Sequence, residues 1–89
     1  MIVFVKDKDA TLDYTWDWSD WLGQDTISVA SVTVDDNTLQ INSVAQNATA
    51  VTVWVSGGQP GKRYGLTCRV TTTGGRADER TIFLDVIER

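Results

Sequence analysis

Four aspartates near the start of the chain are the first residues whose spacing could support chemistry. Asp13, Asp17, Asp20 and Asp25 follow one another at short intervals, and carboxylate oxygens are ligands that Ca²⁺ accepts. The ligand order and the glycine of an EF-hand loop are missing. Asp13 and Asp17 are typical of the wet face of a strand, and Asp20 fits the first turn of a helix, where negative charge is favourable. We therefore expect no metal site.

The groups needed for nucleophilic catalysis are also missing. The sequence has no histidine, so neither a Ser–His nor a Cys–His pair can form. Cys68, the single cysteine, alternates with Leu66 and Val70, which predicts a buried structural thiol. Gly57–Gly58 and Gly74–Gly75 lack the following lysine and helix of a phosphate-binding loop. We expect neither an enzyme nor a bound cofactor.

The four tryptophans are the remaining candidates, because rows of exposed aromatic rings bind sugars in many β-sandwich modules. Trp16 and Trp18 share a face with Leu12 and Tyr14, which favours burial in a core. Trp54 is out of phase with the valines beside it and is the best candidate for an exposed ring.

Apolar side chains outside the core phase mark candidate protein contacts. Phe83 and Ile87 are out of phase in the last strand, and the apolar segment 1–5 precedes the charged Lys6–Asp9 stretch. The candidate contact residues are Trp54, Phe83, Ile87, Ile2 and Phe4. Either these side chains are exposed to a partner, or a neighbouring segment such as residues 2–5 covers them.

Composition limits the class of protein. The 89 residues are 42% hydrophobic with a formal net charge of -4, which favours one folded domain and disfavours disorder and nucleic-acid binding. No apolar run is long enough to span a bilayer. A lone cysteine and no signal-peptide core favour synthesis in a reducing compartment. We expect one domain over residues 1–89, with residues 1–10 as an N-terminal arm or an edge strand.

Period-two alternation dominates the chain and predicts an all-β fold. About seven short strands separated by turns are typical of an immunoglobulin-like antiparallel β-sandwich, with one short helical turn near Ser19–Leu22, capped by Ser19. The phase of Ile27–Val34 blurs at Ala30–Ser31, which indicates a bulge or a sheet switch, and Thr38–Asn42 is a short strand. The predicted core consists of Leu12, Tyr14, Trp16, Trp18, Val53, Tyr64, Leu66, Cys68, Val70, Ile82, Leu84 and Val86.

A Pro-Gly turn ahead of Tyr64 adds a more specific signal. Pro60–Gly61 precedes the tyrosine at the start of the penultimate strand, which is where sandwiches place a tyrosine corner. The prediction is a hydrogen bond between the Tyr64 hydroxyl and the backbone of the preceding loop.

Three groups of residues carry a resemblance to a known family. They are Leu12-Asp13-Tyr14, Asp17-Trp18, Trp21-Leu22 and Asp25-Thr26-Ile27; Val53-Trp54-Val55-Ser56-Gly57-Gly58 with Gly61 and Tyr64; and Arg69-Val70-Thr71-Thr72, Gly75-Arg76, Asp78 and Arg80-Thr81-Ile82. In these the chain resembles the small tailed-phage proteins described as fiber–tail adaptors. The middle of the chain, Asp35 to Ala48, carries none of the resemblance.

The resemblance implies a virion structural protein of the tail machinery, assembled in the bacterial cytoplasm. Its expected partners are other virion proteins of the tail, the fiber or the head–tail connector, met in multiple copies per particle, with neither nucleic acid nor membrane. It supplies no catalytic residue. The alternative is a carbohydrate-binding β-sandwich for attachment to the host surface, which would require several coplanar exposed aromatic rings.

Overall fold

The computed structural model describes residues 2–88, and Met1, the first residue of the predicted arm, lies outside them. Within this range the chain forms seven strands and one helical turn. In chain order they are β1 (Val3–Asp7), β2 (Leu12–Asp17), α1 (Ser19–Leu22), β3 (Ile27–Val34), β4 (Leu39–Gln46), β5 (Ala50–Gly57), β6 (Arg63–Thr72) and β7 (Ala77–Ile87). The all-β prediction is confirmed, and the helical turn lies at the predicted residues.

The strands form two sheets, one of four strands and one of three. The larger has the order β1-β7-β6-β3 and the smaller β2-β5-β4. This is the immunoglobulin-type division into two packed sheets, with the first strand placed beside the last. One part of the prediction was wrong: the pairing is not wholly antiparallel, because β1 runs parallel to β7 from Val3 opposite Phe83 to Asp7 opposite Ile87. After β1 the chain crosses to the other sheet, where β2 lies. Since no hairpin joins β1 to β7, β1 can pair with the open edge of β7 in the parallel direction.

The core lies between the two sheets and follows the period of two. Val51, Val53 and Val55 of β5 are fully buried, as are the alternate residues of β6 from Tyr64 to Val70. Ile82, Leu84 and Val86 close it from β7. Trp16 and Trp18 are buried beneath the same layer, so two of the four indoles stabilise the fold by removing large apolar surfaces from water.

Two predicted core residues are less covered than their phase suggests. Leu12 pairs with Val55 and therefore points inward, yet 37% of its surface is exposed. Tyr14 is half-buried and packs its ring against Phe4, with ring centroids 5.0 Å apart. Both residues lie on β2, at the edge of its sheet, where the period sets the direction of a side chain but the neighbouring sheet does not fully cover it.

Smaller boundary predictions also needed correction. The irregularity of β3 lies between Ile27 and Val29, not at Ala30–Ser31, and β3 does not change sheet. The strand predicted at Thr38–Asn42 runs as β4 to Gln46, through a register shift between Ile41 and Ser43.

The start of α1 also differs from the prediction. Its N-cap is Trp18, not Ser19. The Ser19 amide instead donates to the Asp17 carboxylate over 2.9 Å, so the side chain that satisfies this amide comes from two residues earlier.

The tyrosine corner is confirmed. Tyr64 is fully buried, and its hydroxyl oxygen accepts the Gln59 amide at 2.8 Å and lies 2.6 Å from the Thr38 hydroxyl. The corner therefore ties the loop after β5 and the start of β4 to the first residues of β6.

Candidate protein-contact surfaces

The five predicted contact residues occupy three different places. Trp54 lies on the outer face of the three-stranded sheet, whereas Phe83 and Ile87 lie on the outer face of the four-stranded sheet. Ile2 and Phe4 lie at the free edge of the four-stranded sheet. The sequence identifies these five residues only by the side of a strand on which they lie, whereas the structure places them on three separate surfaces.

The Trp54 face is the outer surface of the three-stranded sheet around that indole. Trp54 is 43% exposed and stands between Asp13 of β2 and Ser43 of β4. The other side chains around it are polar and hydrogen-bond in pairs; the Thr15 and Thr52 hydroxyl oxygens, for example, lie 2.9 Å apart. The indole is therefore an apolar group in a polar, small-residue surrounding, which is the composition of an interface anchor and its rim.

The Phe83 face is formed by Val3, Val5, Phe83 and Ile87 on the outer surface of β1 and β7. Phe83 is half-buried because its ring lies over Gly65 of β6: a Cβ added there would lie 3.5 Å from the ring. Val5 is 54% exposed. A shallow cavity of about 360 Å³ adjoins this face and is lined by Gly61, Lys62, Arg63, Asp85, Val86 and Ile87.

The β1 edge consists of Ile2, Phe4 and the outward backbone groups of Val3 and Val5. Ile2 accepts the Phe83 amide and the Lys8 amide donates to Ile87, so the even-numbered residues of β1 direct their backbone groups at β7. The N–H and C=O groups of Val3 and Val5 consequently point away from the sheet. No other strand within residues 2–88 pairs with that side of β1.

Lys6 is a buried residue, although it belongs to the charged Lys6–Asp9 stretch of the sequence. It lies opposite Val86 and points between the sheets, where its Nζ donates to the carbonyls of Asp7 and Gly57, each at 2.8 Å. Burial lowers the pKa of Lys6. Its ammonium fastens β1 to the end of β5 in the opposite sheet.

Several residues of the family resemblance meet at one end of the sandwich, around α1. Arg76 lies 4.4 Å from the centroid of the Trp21 ring and donates to the carbonyls of Trp21 and Leu22, at 3.2 and 2.8 Å. Arg80 lies 4.1 Å from the Trp18 ring. We call Trp18, Trp21, Arg76 and Arg80 the α1 cluster. The sequence alone does not reveal this cluster, because its stacked pairs are more than fifty residues apart.

Asp25 completes this end of the molecule as a hydrogen-bond acceptor. It accepts from the amides of Thr26 and Gly74, and from the Thr73 hydroxyl at 3.0 Å. Hydrogen bonding, with Thr72 as the largest contributor, holds the pKa of Asp25 well below its usual range. In residues 2–88, no three Asp, Glu or Cys side chains are placed so that they could hold a metal ion.

Cys68 lies between the sheets, fully buried. Burial raises the pKa of its thiol, against smaller opposing effects of Trp18 and Arg80. The thiol is therefore protonated and unreactive at neutral pH.

The fold and these surfaces define the class of protein: a small all-β sandwich with apolar groups exposed on both outer faces and along one edge. The chain matches the family described as podophage GP4 fiber-tail adaptor protein gp77 over residues 6–85, and it belongs to that family. No curated protein matches it. Family membership makes the chain a structural component of the phage tail. Within residues 2–88, no helix has the length and apolar character needed to cross a membrane.

Proposed function

We propose that this protein is a two-sided adaptor that joins two other virion proteins through its Trp54 face and its Phe83 face. The observation that carries the proposal is the placement of the exposed Trp54 indole and the apolar Phe83 face on opposite outer sides of one sandwich. A domain with contacts on one side could only attach itself to a particle. Two opposed surfaces allow one rigid domain to hold a tail protein on one side and a fiber protein on the other.

The mechanism is passive and needs no catalytic group. Each face is small, so a single contact is weak. We propose that several copies per particle act together, which raises the overall strength of attachment through a high effective concentration. Neither nucleic acid nor membrane takes part, in keeping with the net charge of -4, and assembly takes place in the host cytoplasm.

The geometry does not favour the carbohydrate-binding alternative. Sugar binding needs several exposed rings in one plane, but Trp16 and Trp18 are buried and Trp21 is covered by Arg76. Trp54 is left as a single ring on its face. Acrylamide quenching of the native protein would reach chiefly this indole.

The test is complementation of a phage lacking this protein with single variants, followed by quantification of adaptor and fiber in purified particles. Trp54→Ala and Phe83→Ala each remove one proposed contact. We expect one variant to remain in the particle while losing fibers, and the other to be lost from the particle together with the fibers.

Val29→Ala is the matched control, because Val29 is an apolar residue 62% exposed on the four-stranded sheet, at the far edge from β1. It should leave both components at wild-type levels. Near-ultraviolet circular dichroism of each purified variant checks the fold. Particles with a full complement of fibers from both Trp54→Ala and Phe83→Ala would overturn the proposal.

A further inference from the structure

We infer that β1 edges from two copies of this chain pair antiparallel across a two-fold axis, which joins two four-stranded sheets into one of eight strands. The inference concerns contacts between copies, so its failure would leave the two-sided adaptor proposal intact.

The backbone of β1 supplies the first argument. The N–H and C=O groups of Val3 and Val5 form a row on the open side of the strand. Such a row is the template on which another strand adds. The other copy presents the same row, and an antiparallel arrangement matches donors with acceptors.

Backbone direction limits the register, because hydrogen-bonded pairs can form only between residues whose backbone groups face outward. The register we infer pairs Val3 with Val5 of the second copy and Val5 with Val3, because it uses both of these residues in each copy. Phe4 then lies opposite Phe4 of the second copy on the two-fold axis, as a non-hydrogen-bonded pair with Cα atoms about 4.5 Å apart.

The side chains suit this register. On the outer surface, Val3 and Val5 from both copies form one apolar row that continues the Phe83 face. On the inner surface, the two Phe4 rings meet beside Tyr14. The pairing opposes no like charges from Ile2 to Val5, and these residues include no proline, charge or bulge. The charged residues of β1, Lys6 and Asp7, come after them.

The other edges of the sandwich differ in this respect. β2 carries Asp13 and Asp17, β4 is rich in glutamine, asparagine and serine, and β3 has its irregularity after Ile27. Among the described edge strands, β1 combines an unbroken register with apolar residues from Val3 to Val5. Because the contact is one strand wide, the dimer should be weak, with a Kd on the order of 100 µM.

Amide hydrogen exchange tests the pairing in the unmodified protein. In the monomer the Val3 and Val5 amides face solvent, whereas the Phe4 amide bonds to β7. We expect the exchange of Val3 and Val5 to slow at least several-fold between about 20 µM and about 1 mM protein, with Phe4 unchanged. Equal exchange of Val3 and Val5 at both concentrations would overturn the inference.

Cysteine cross-linking tests the register. Phe4→Cys places two thiols opposite one another at a distance that a disulfide spans. Ile2→Cys is the matched control, because its two copies would lie several residues apart along the strands. We expect oxidised dimer from Phe4→Cys and monomer from Ile2→Cys, with Cys68 buried in both. Dimer from both variants, or from neither, contradicts this register.

Sedimentation velocity separates pairing through β1 from any other self-association. Val5→Lys adds a charge to the β1 edge, and Val29→Lys adds the same charge at the opposite edge of the same sheet. The wild type and Val29→Lys should form dimer near 1 mM, and Val5→Lys should stay monomeric. Dimer of Val5→Lys at the wild-type level, or a wild type that stays monomeric, would exclude the β1 pairing.

Discussion

At the scale of single residues, the two tyrosines show how hydrogen-bond partners determine the contribution of a buried hydroxyl to stability. The Tyr64 hydroxyl has two partners, from Gln59 and Thr38. The Tyr14 hydroxyl is buried without a hydrogen-bond partner among residues 2–88. An unsatisfied buried group costs free energy, whereas a satisfied one repays its desolvation.

We therefore predict opposite outcomes for the same substitution. Tyr64→Phe should lower the free energy of unfolding by about 1–3 kcal/mol, because it leaves the Gln59 amide without its hydrogen-bond acceptor. Tyr14→Phe should be neutral or slightly stabilising. Urea denaturation followed by tryptophan fluorescence measures both. An unchanged free energy of unfolding in Tyr64→Phe would show that the hydrogen bonds of the corner add no stability.

Gly58 offers a second residue-scale prediction. Its φ is +98°, and an added Cβ would lie 2.8 Å from Cγ2 of Val86, within the core. Gly58→Ala should therefore cost more than Gly61→Ala, which has a similar φ of +83° but open space around it. We expect about 1 kcal/mol for Gly61→Ala and at least about twice that for Gly58→Ala, by thermal or urea unfolding. A larger loss in Gly61→Ala would contradict this account.

At the scale of elements, α1 is too short to be stable alone and depends on Arg76. A single helical turn has unsatisfied carbonyls, and the Arg76 guanidinium takes two of them while covering Trp21. Arg76 thereby joins α1 to the start of β7.

We predict that Arg76→Ala lowers the free energy of unfolding by about 2 kcal/mol, through lost charge-assisted hydrogen bonds and lost packing on Trp21. Arg69→Ala is the control, because Arg69 is exposed and makes only a 3.8 Å ion pair with Glu79. The control should change stability by no more than about 0.5 kcal/mol. The same loss of stability in both variants would show that Arg76 contributes no more than an exposed arginine.

Element-scale features divide clearly into those that the sequence predicts and those it does not. Alternation predicts the buried row of β5 to β7, because a strand's period fixes which side each residue faces. It does not predict that Lys6 is buried, since the orientation of β1 is set by its parallel partner. Nor does it show that Trp54 and Phe83 lie on different sheets, because phase separates inside from outside but does not assign a strand to a sheet.

At the scale of the whole molecule, carboxylates with lowered pKa values tie stability to pH. The Lys62 ammonium is the main cause that holds the pKa of Asp36 well below its usual range, and hydrogen bonds do the same for Asp25. Each carboxylate binds protons less readily in the folded state, so its stabilising effect is complete above the unfolded-state pKa, near 4, and is lost as the pH falls below it.

The melting temperature should therefore change little between pH 7 and about pH 5 and fall below about pH 4. Asp25→Asn should melt lower at pH 7 and show a smaller decrease on acidification than the wild type. Differential scanning calorimetry measures both, with Asp13→Asn as the control for the loss of one negative charge. If the melting temperature of Asp25→Asn fell on acidification as much as that of the wild type, Asp25 would be excluded as a source of the pH dependence.

The parallel pairing of β1 with β7 has a mechanical consequence. Val3 and Ile87 lie at opposite ends of this ladder, so tension that pulls the start of β1 away from the end of β7 acts along the strands. Their hydrogen bonds then share the load and must shear together, whereas a hairpin pulled at its two adjacent ends opens one bond at a time. The Lys6 ammonium, fixed to the Gly57 carbonyl of the other sheet, resists the same sliding. Load applied along this axis is therefore shared by the whole β1–β7 ladder.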